Sequence, residues 1–130
     1  MLSLHASQRY FFYDGAIDMR KGFDGLCGVV RDQFQRDPLS GDVFIFLSRS
    51  GNRIKFLHWQ GDGFALYYKR LEKGTFEFPR TISGSSMPIN AQELMLIMEG
   101  ISLASIKKRV RYSHQNVGNY SMQTRAKMQV

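Results

Sequence analysis

Arg20 and Lys21 sit inside the run Asp18-Met19-Arg20-Lys21-Gly22-Phe23-Asp24-Gly25-Leu26, two cations at what reads as the start of a helix. Met19, Phe23, Leu26, Val30 and Phe34 recur at spacings of three and four, which predicts an amphipathic helix from Met19 to near Arg36 with Asp18 as its N-cap. The macrodipole is already positive at that end, and unpaired N–H groups point outward there. A phosphate would collect those donors together with the two basic side chains. The competing reading is an Arg20–Asp24 pair at i,i+4 on a solvated face.

A second set of candidates lies in Arg53 to Leu71, where Gly61-Asp62-Gly63 separates two runs with strand patterning. Alternation puts Arg53, Lys55, Leu57 and Trp59 on one face of the first run and Ile54, Phe56 and His58 on the other. Two hairpin registers are open. One sets Lys55 opposite Lys69 and Leu57 opposite Tyr67; the other sets Arg53 opposite Arg70 and Trp59 opposite Phe64. Either juxtaposes like charges, which is unfavourable unless an anion or a nearby carboxylate neutralises them. A phosphate backbone would do so, with Trp59 and Tyr67 available to stack on bases. Solvated cations beside core or rim aromatics are the plainer alternative.

Catalytic groups are harder to assemble. Metal-dependent nuclease chemistry needs convergent carboxylates to hold the ions. Asp18 reads as a cap, Asp24 as an ion-pair partner, and Asp37, Asp42 and Asp62 as turn residues. His5, His58 and His114 have no evident Ser, Cys or carboxylate partner, and the lone Cys27, beside the apolar stripe, reads as a packed thiol. No enzyme activity, no metal site and no cofactor are expected.

Charge supplies a third clue. The chain has 130 residues and a net charge of +7, but residues 1 to 99 carry 12 Lys/Arg against all 11 Asp/Glu. Residues 100 to 130 hold Lys107, Lys108, Arg109, Arg111, Arg125 and Lys127 with no acid. A basic segment on a nearly neutral body suits a polyanion, most often nucleic acid, although basic tails also occur as plain solvated segments. No run reaches the length of a membrane span and Met1 to Ser7 lacks signal-peptide character, so a cytoplasmic location is expected.

The elements needed to position these groups are few. Arg9 to Asp14 reads as a strand, and Asp37 to Asp42 as the turn that stops the first helix. Val43 to Leu47 is apolar on both faces, hence central in its sheet. Arg53 to Gln60 and Phe64 to Leu71 form the hairpin, Thr75 to Phe78 a last short strand, and Arg80 to Pro88 a loop. Asn90 and Glu93 have the spacing of a capping box ahead of the stripe Leu94, Ile97, Met98 and Ile101, and Leu103 to Tyr112 patterns as a third helix. The expected architecture is α+β, a single domain with an antiparallel sheet of four or five strands and two or three packed helices, followed by a flexible basic tail over residues 113–130.

The blocks Asp18 to Leu26, Asp37 to Phe44, Arg53-Ile54-Lys55, Leu57-His58-Trp59 and Tyr67 to Phe76, in this order, resemble the TnpB-type accessory protein of the insertion sequence 66 family of transposable elements. The resemblance spans about residues 5 to 112. It implies a non-catalytic accessory role in DNA transposition beside a separate transposase and a second small accessory protein, with no catalytic residue attached to the matching segments. Joined to the residue reading, it makes DNA of the element ends the expected partner, contacted through Arg20, Lys21, Arg53, Lys55, Trp59, Tyr67, Lys69, Arg70, Lys107, Lys108, Arg109 and Arg111. The alternative is a protein-interaction subunit that docks the transposase without touching DNA. The turn Ser48-Arg49-Ser50-Gly51-Asn52 lacks the basic run that relatives often carry there, which argues against a DNA contact at that turn.

Overall fold

Val43-Phe44-Ile45-Phe46-Leu47 presents apolar side chains to both of its faces, so it is stable only where both faces are covered. In the computed structural model, which describes residues 4–78 and 86–101, this strand is the middle one of five. The strands are β1 (Tyr10–Ala16), β2 (Val43–Leu47), β3 (Arg53–Trp59), β4 (Phe64–Arg70) and β5 (Ser86–Ile89), in the order β4-β3-β2-β1-β5. All of them, with helices α1 (Phe23–Val29) and α2 (Ala91–Met98), fall in one compact unit, Met1–Gly100. The α+β architecture matches the expectation from the sequence.

The sheet is mixed, which corrects the antiparallel expectation at one pair. β1 and β2 run parallel, Tyr10 beside Val43 and Phe12 beside Ile45, and the ladder opens with the Val43 N–H donating to the Arg9 carbonyl at 2.9 Å. A parallel pair needs a long crossover, and the segment carrying α1 supplies it. The remaining neighbours, β1–β5, β2–β3 and β3–β4, are antiparallel. Arg9 also ties the start of β1 to the turn before β2 through a forked pair with Asp42, at 2.9 and 2.8 Å. Asp42 is buried and accepts from the Ser40 hydroxyl as well. Within that same turn the Asp37 side chain accepts from the Leu39 N–H, as a short polar side chain does when it stops a helix.

One face of the sheet is covered by α1 and the π-helical turn that continues it, Val30–Phe34. Leu26, Cys27, Val30 and Phe34 pack with Phe11, Phe44, Phe46 and Leu57. Burial pushes the Cys27 thiol up, in keeping with a packed rather than a reactive group. On the opposite face Tyr10, Phe12, Ile45, Ile54 and Phe56 are buried as well.

Three local expectations are corrected. The helix starts at Phe23 with Gly22 as its N-cap, four residues later than the stripe suggested, so Phe23 is 46% exposed. Thr75 to Phe78 forms no strand and joins no ladder among the described residues; the Phe76 N–H donates to the Gly51 carbonyl, and the Phe78 ring stacks on Phe12 with centroids 4.1 Å apart. Ser86 to Pro88, expected as the end of a loop, belong with Ile89 to the edge strand β5 beside β1. In both of the last two cases tertiary contacts overrode the weak local pattern of a short segment.

The capping box is present. The Asn90 side chain accepts from the Glu93 N–H at 2.7 Å, and Glu93 reaches back to the Asn90 N–H. Asn90→Ala is expected to cost about 1 kcal/mol in a urea titration with an unchanged slope. A midpoint identical to wild type would mean that α2 needs no cap. The expected third helix, the basic cluster Lys107, Lys108, Arg109 and Arg111, the boundary at residue 112 and the tail lie outside the described residues.

Candidate nucleic-acid interface

The turn before α1 is built differently from a helix start. The Asp18 side chain accepts from the Arg20 N–H at 2.9 Å and takes the Arg20 guanidinium in a fork, while the Lys21 N–H donates to the Asp18 carbonyl. Asp18 is thus the anchor of a tight turn and not an N-cap, and the Arg20 guanidinium beside it holds its carboxyl well below the usual carboxylate range. Arg20 pairs with Asp18 and not with Asp24. Its side chain is 90% exposed, so the pair leaves the guanidinium open to solvent.

That turn is held from beneath by Lys55. Its ammonium donates to the carbonyls of Met19 and Lys21, both at 2.7 Å, and lies 4.6 Å from the centre of the Tyr68 ring. Lys55 is only 5% exposed. It was expected on the basic surface; instead it is a buried cation that neutralises inward-pointing carbonyls and so sets the positions of Arg20 and Lys21. The sequence carried no local signal for this role, because the bonded residues are more than thirty positions apart.

The hairpin takes the register that sets Arg53 opposite Arg70 and Trp59 opposite Phe64. Lys55 therefore faces Tyr68, and Tyr67 faces Phe56, so the Lys55–Lys69 and Leu57–Tyr67 pairings do not form. The alternation of side chains then divides the candidates between the two sheet faces. Arg53, Trp59, Tyr68 and Arg70 share the α1 side; Tyr67 and Lys69 share the other with His58. Trp59 makes an edge contact with Phe64 at 5.0 Å and is half-buried, whereas Tyr68, which sequence reasoning passed over, is 48% exposed. Its place one residue after Tyr67 was visible; its face depended on the register.

Like charges do meet. Arg70 is drawn toward Glu72, whose carboxylate accepts from the guanidinium at 3.0 and 3.1 Å, but Arg53 has no carboxylate partner among the described residues. Lys69, Arg70 and Lys73 are exposed along the same stretch. No group of three or more His, Cys, Asp or Glu that could hold a metal occurs among the described residues, and no helix there is long and apolar enough to cross a membrane.

The family model described as IS66 Orf2 like protein matches residues 8–108. Two proteins of Sinorhizobium fredii (strain NBRC 101917 / NGR234), both uncharacterized, are similar: y4hO is 34% identical over 101 residues, covering 78% of this chain and 87% of that protein. The other, y4jC, is 31% identical over 93 residues, covering 72% of this chain and 79% of its own length. No solved structure gives a significant match. With the family model extending from before β1 to beyond α2, the chain belongs to the IS66 Orf2-like family.

Proposed function

We propose that this protein is a non-catalytic accessory factor of insertion-sequence transposition that contacts DNA of the element ends through the outer part of the β3–β4 hairpin. Membership of the IS66 Orf2-like family supports the accessory role in transposition. The observation that carries the DNA reading is the Arg53–Arg70 cross-strand pair, two cations side by side on a face that also offers Tyr68 and Trp59, with Glu72 as the one carboxylate paired to them among the described residues. Such a pair is unfavourable in the free protein and is relieved by a phosphate. Arg20 and Lys21, set by Lys55, supply further phosphate contacts, and Lys69 a contact from the other face of β4. Lys107, Lys108, Arg109 and Arg111 add sequence-independent attraction. Lys55 does not enter the contact set, since it is buried and its ammonium already donates to two carbonyls within the fold. The transposase and a second small accessory protein are the protein partners in this reading.

Arg53→Ala with Arg70→Ala tests it. Titration of labelled duplex with the double variant is expected to show weaker binding and a log–log salt slope lower by about 1.8, from about 0.9 per lost phosphate contact. Both side chains reach solvent, so thermal unfolding should hardly change. An unchanged slope, or a wild-type protein with no measurable DNA affinity, would favour the protein-interaction reading, in which Trp59 and Tyr68, which share a face of the hairpin, anchor a partner and affinity is nearly independent of salt.

A further inference from the structure

We propose that β4 is a self-association edge, along which two copies of this chain pair antiparallel through Phe64–Arg70, with Tyr67 on the two-fold axis, to form one continuous sheet. β4 is the terminal strand on its side of the sheet, seven residues long, and its ladder with β3 runs without a bulge from Phe64 to Arg70. The direction of each backbone group follows from the hydrogen bonds that flank the hairpin. The Gln60 N–H donates to the Gly63 carbonyl and the Leu71 N–H to the Asn52 carbonyl. Antiparallel alternation then turns the odd-numbered residues of β4 toward β3 and leaves the N–H and C=O of Phe64, Leu66, Tyr68 and Arg70 pointing outward. None of these four has a further backbone partner among the described residues.

An open edge of this kind is a pairing template unless it is blunted. The other edge is blunted: β5 has four residues and contains Pro88. β4 has no proline, and its only charges, Lys69 and Arg70, are at one end. That asymmetry leaves β4 as the edge suited to pairing, and its complementarity to itself selects a second copy as the occupant. In an antiparallel pair centred on Tyr67, all four outward-facing residues of each strand find partners, Phe64 with Arg70 and Leu66 with Tyr68, each pair exchanging two bonds. Lys69 then lies opposite Ala65 and Arg70 opposite Phe64, so no like charges meet and each cation has a small or aromatic neighbour. Sliding the strands to centre on Lys69 or Arg70 would set identical cations against each other and leave fewer bonds. The half-exposed side chains of Leu66 and Tyr68 would also gain apolar cover across the junction. As a consequence the two Arg53–Arg70 pairs would occupy one face, about 20 Å apart along the strands. The inference is independent of whether that face binds DNA.

The full-length protein is expected to sediment as a dimer at micromolar concentration, and a monomer at every concentration would overturn the proposal. Tyr67→Cys is expected to form an intermolecular disulfide readily on oxidation, because a non-hydrogen-bonded pair brings Cα atoms to about 4.5 Å. Lys69→Cys should not, its two copies being about 14 Å apart along the strands. The native Cys27 is buried and gives little background. Ala65→Lys places cations opposite Lys69 twice per dimer and should raise the dimer dissociation constant about fivefold. Adding Lys69→Glu to Ala65→Lys should restore it, which separates loss of pairing from loss of folding. A dimer indifferent to Ala65→Lys, or equal cross-linking at both cysteines, would locate self-association elsewhere and refute the edge.

Discussion

Phe34→Ala is expected to lower unfolding stability by about 3–5 kcal/mol, a large share of what a domain of this size has to lose. Phe34 ends the π-helical turn and is 5% exposed. Its ring meets Phe44 edge-on at 5.2 Å, Phe46 at 5.6 Å and Tyr13 at 5.5 Å, so it joins the helical segment to two neighbouring strands at once. Truncation removes all three contacts and leaves a void that backbone elements on both sides cannot close. A urea titration should show a large drop in midpoint, and a loss below about 1 kcal/mol would mean that the segment repacks. Because the turn closes with Gln35 in a left-handed conformation, φ 54°, there is little freedom for the chain to follow the missing ring inward.

The second large effect is expected at Lys55. Lys55→Met keeps much of the aliphatic volume but deprives the carbonyls of Met19 and Lys21 of their donor, at a cost of about 2–3 kcal/mol for two charge-assisted bonds with partial rescue by water. The change should be local as well as global. Amide exchange should quicken from Asp18 to Gly22, where the turn loses its support, more than in β2. The salt dependence of DNA binding should alter less than in the Arg53/Arg70 variant, because Lys55 itself contacts no phosphate in the proposed interface. If Lys55→Met left stability and exchange untouched, the ammonium would be dispensable to the turn. If it reproduced the full slope change of the arginine variant, Lys55 would belong with the surface cations.

Lys55 also marks where local reading stops. Alternation alone set it on the same face as Leu57, and Leu57 lies in the core beneath α1. An inward-facing lysine can be solvated, pair with an anion or cap carbonyls, and these outcomes differ only in what the rest of the chain places above it. The placement of the Met19–Lys21 turn is a property of the crossover between two parallel strands, and a parallel pair leaves no mark in the residues it joins beyond a long connection. The hairpin register was of the same kind, since both candidate pairings put strand-forming residues opposite one another.

What the sequence by itself determined were the features that depend on neighbours in the chain. The two-faced apolarity of Val43–Leu47 required a central strand, Gly61 to Gly63 required a hairpin, and Asn90 with Glu93 required a helix start, each because the energetics is settled within a few residues. The ordered blocks from Asp18 to Phe76 likewise carry the resemblance to the family. Only the tertiary structure decided that β1 and β2 run parallel, that Ser86–Ile89 joins the sheet, that Tyr67 and Trp59 face opposite ways, and that Lys55 is buried. Each of these depends on contacts between distant segments. Long-range pairing energies exceed the tenths of a kcal/mol that separate local alternatives, so the final arrangement is chosen by the fold as a whole.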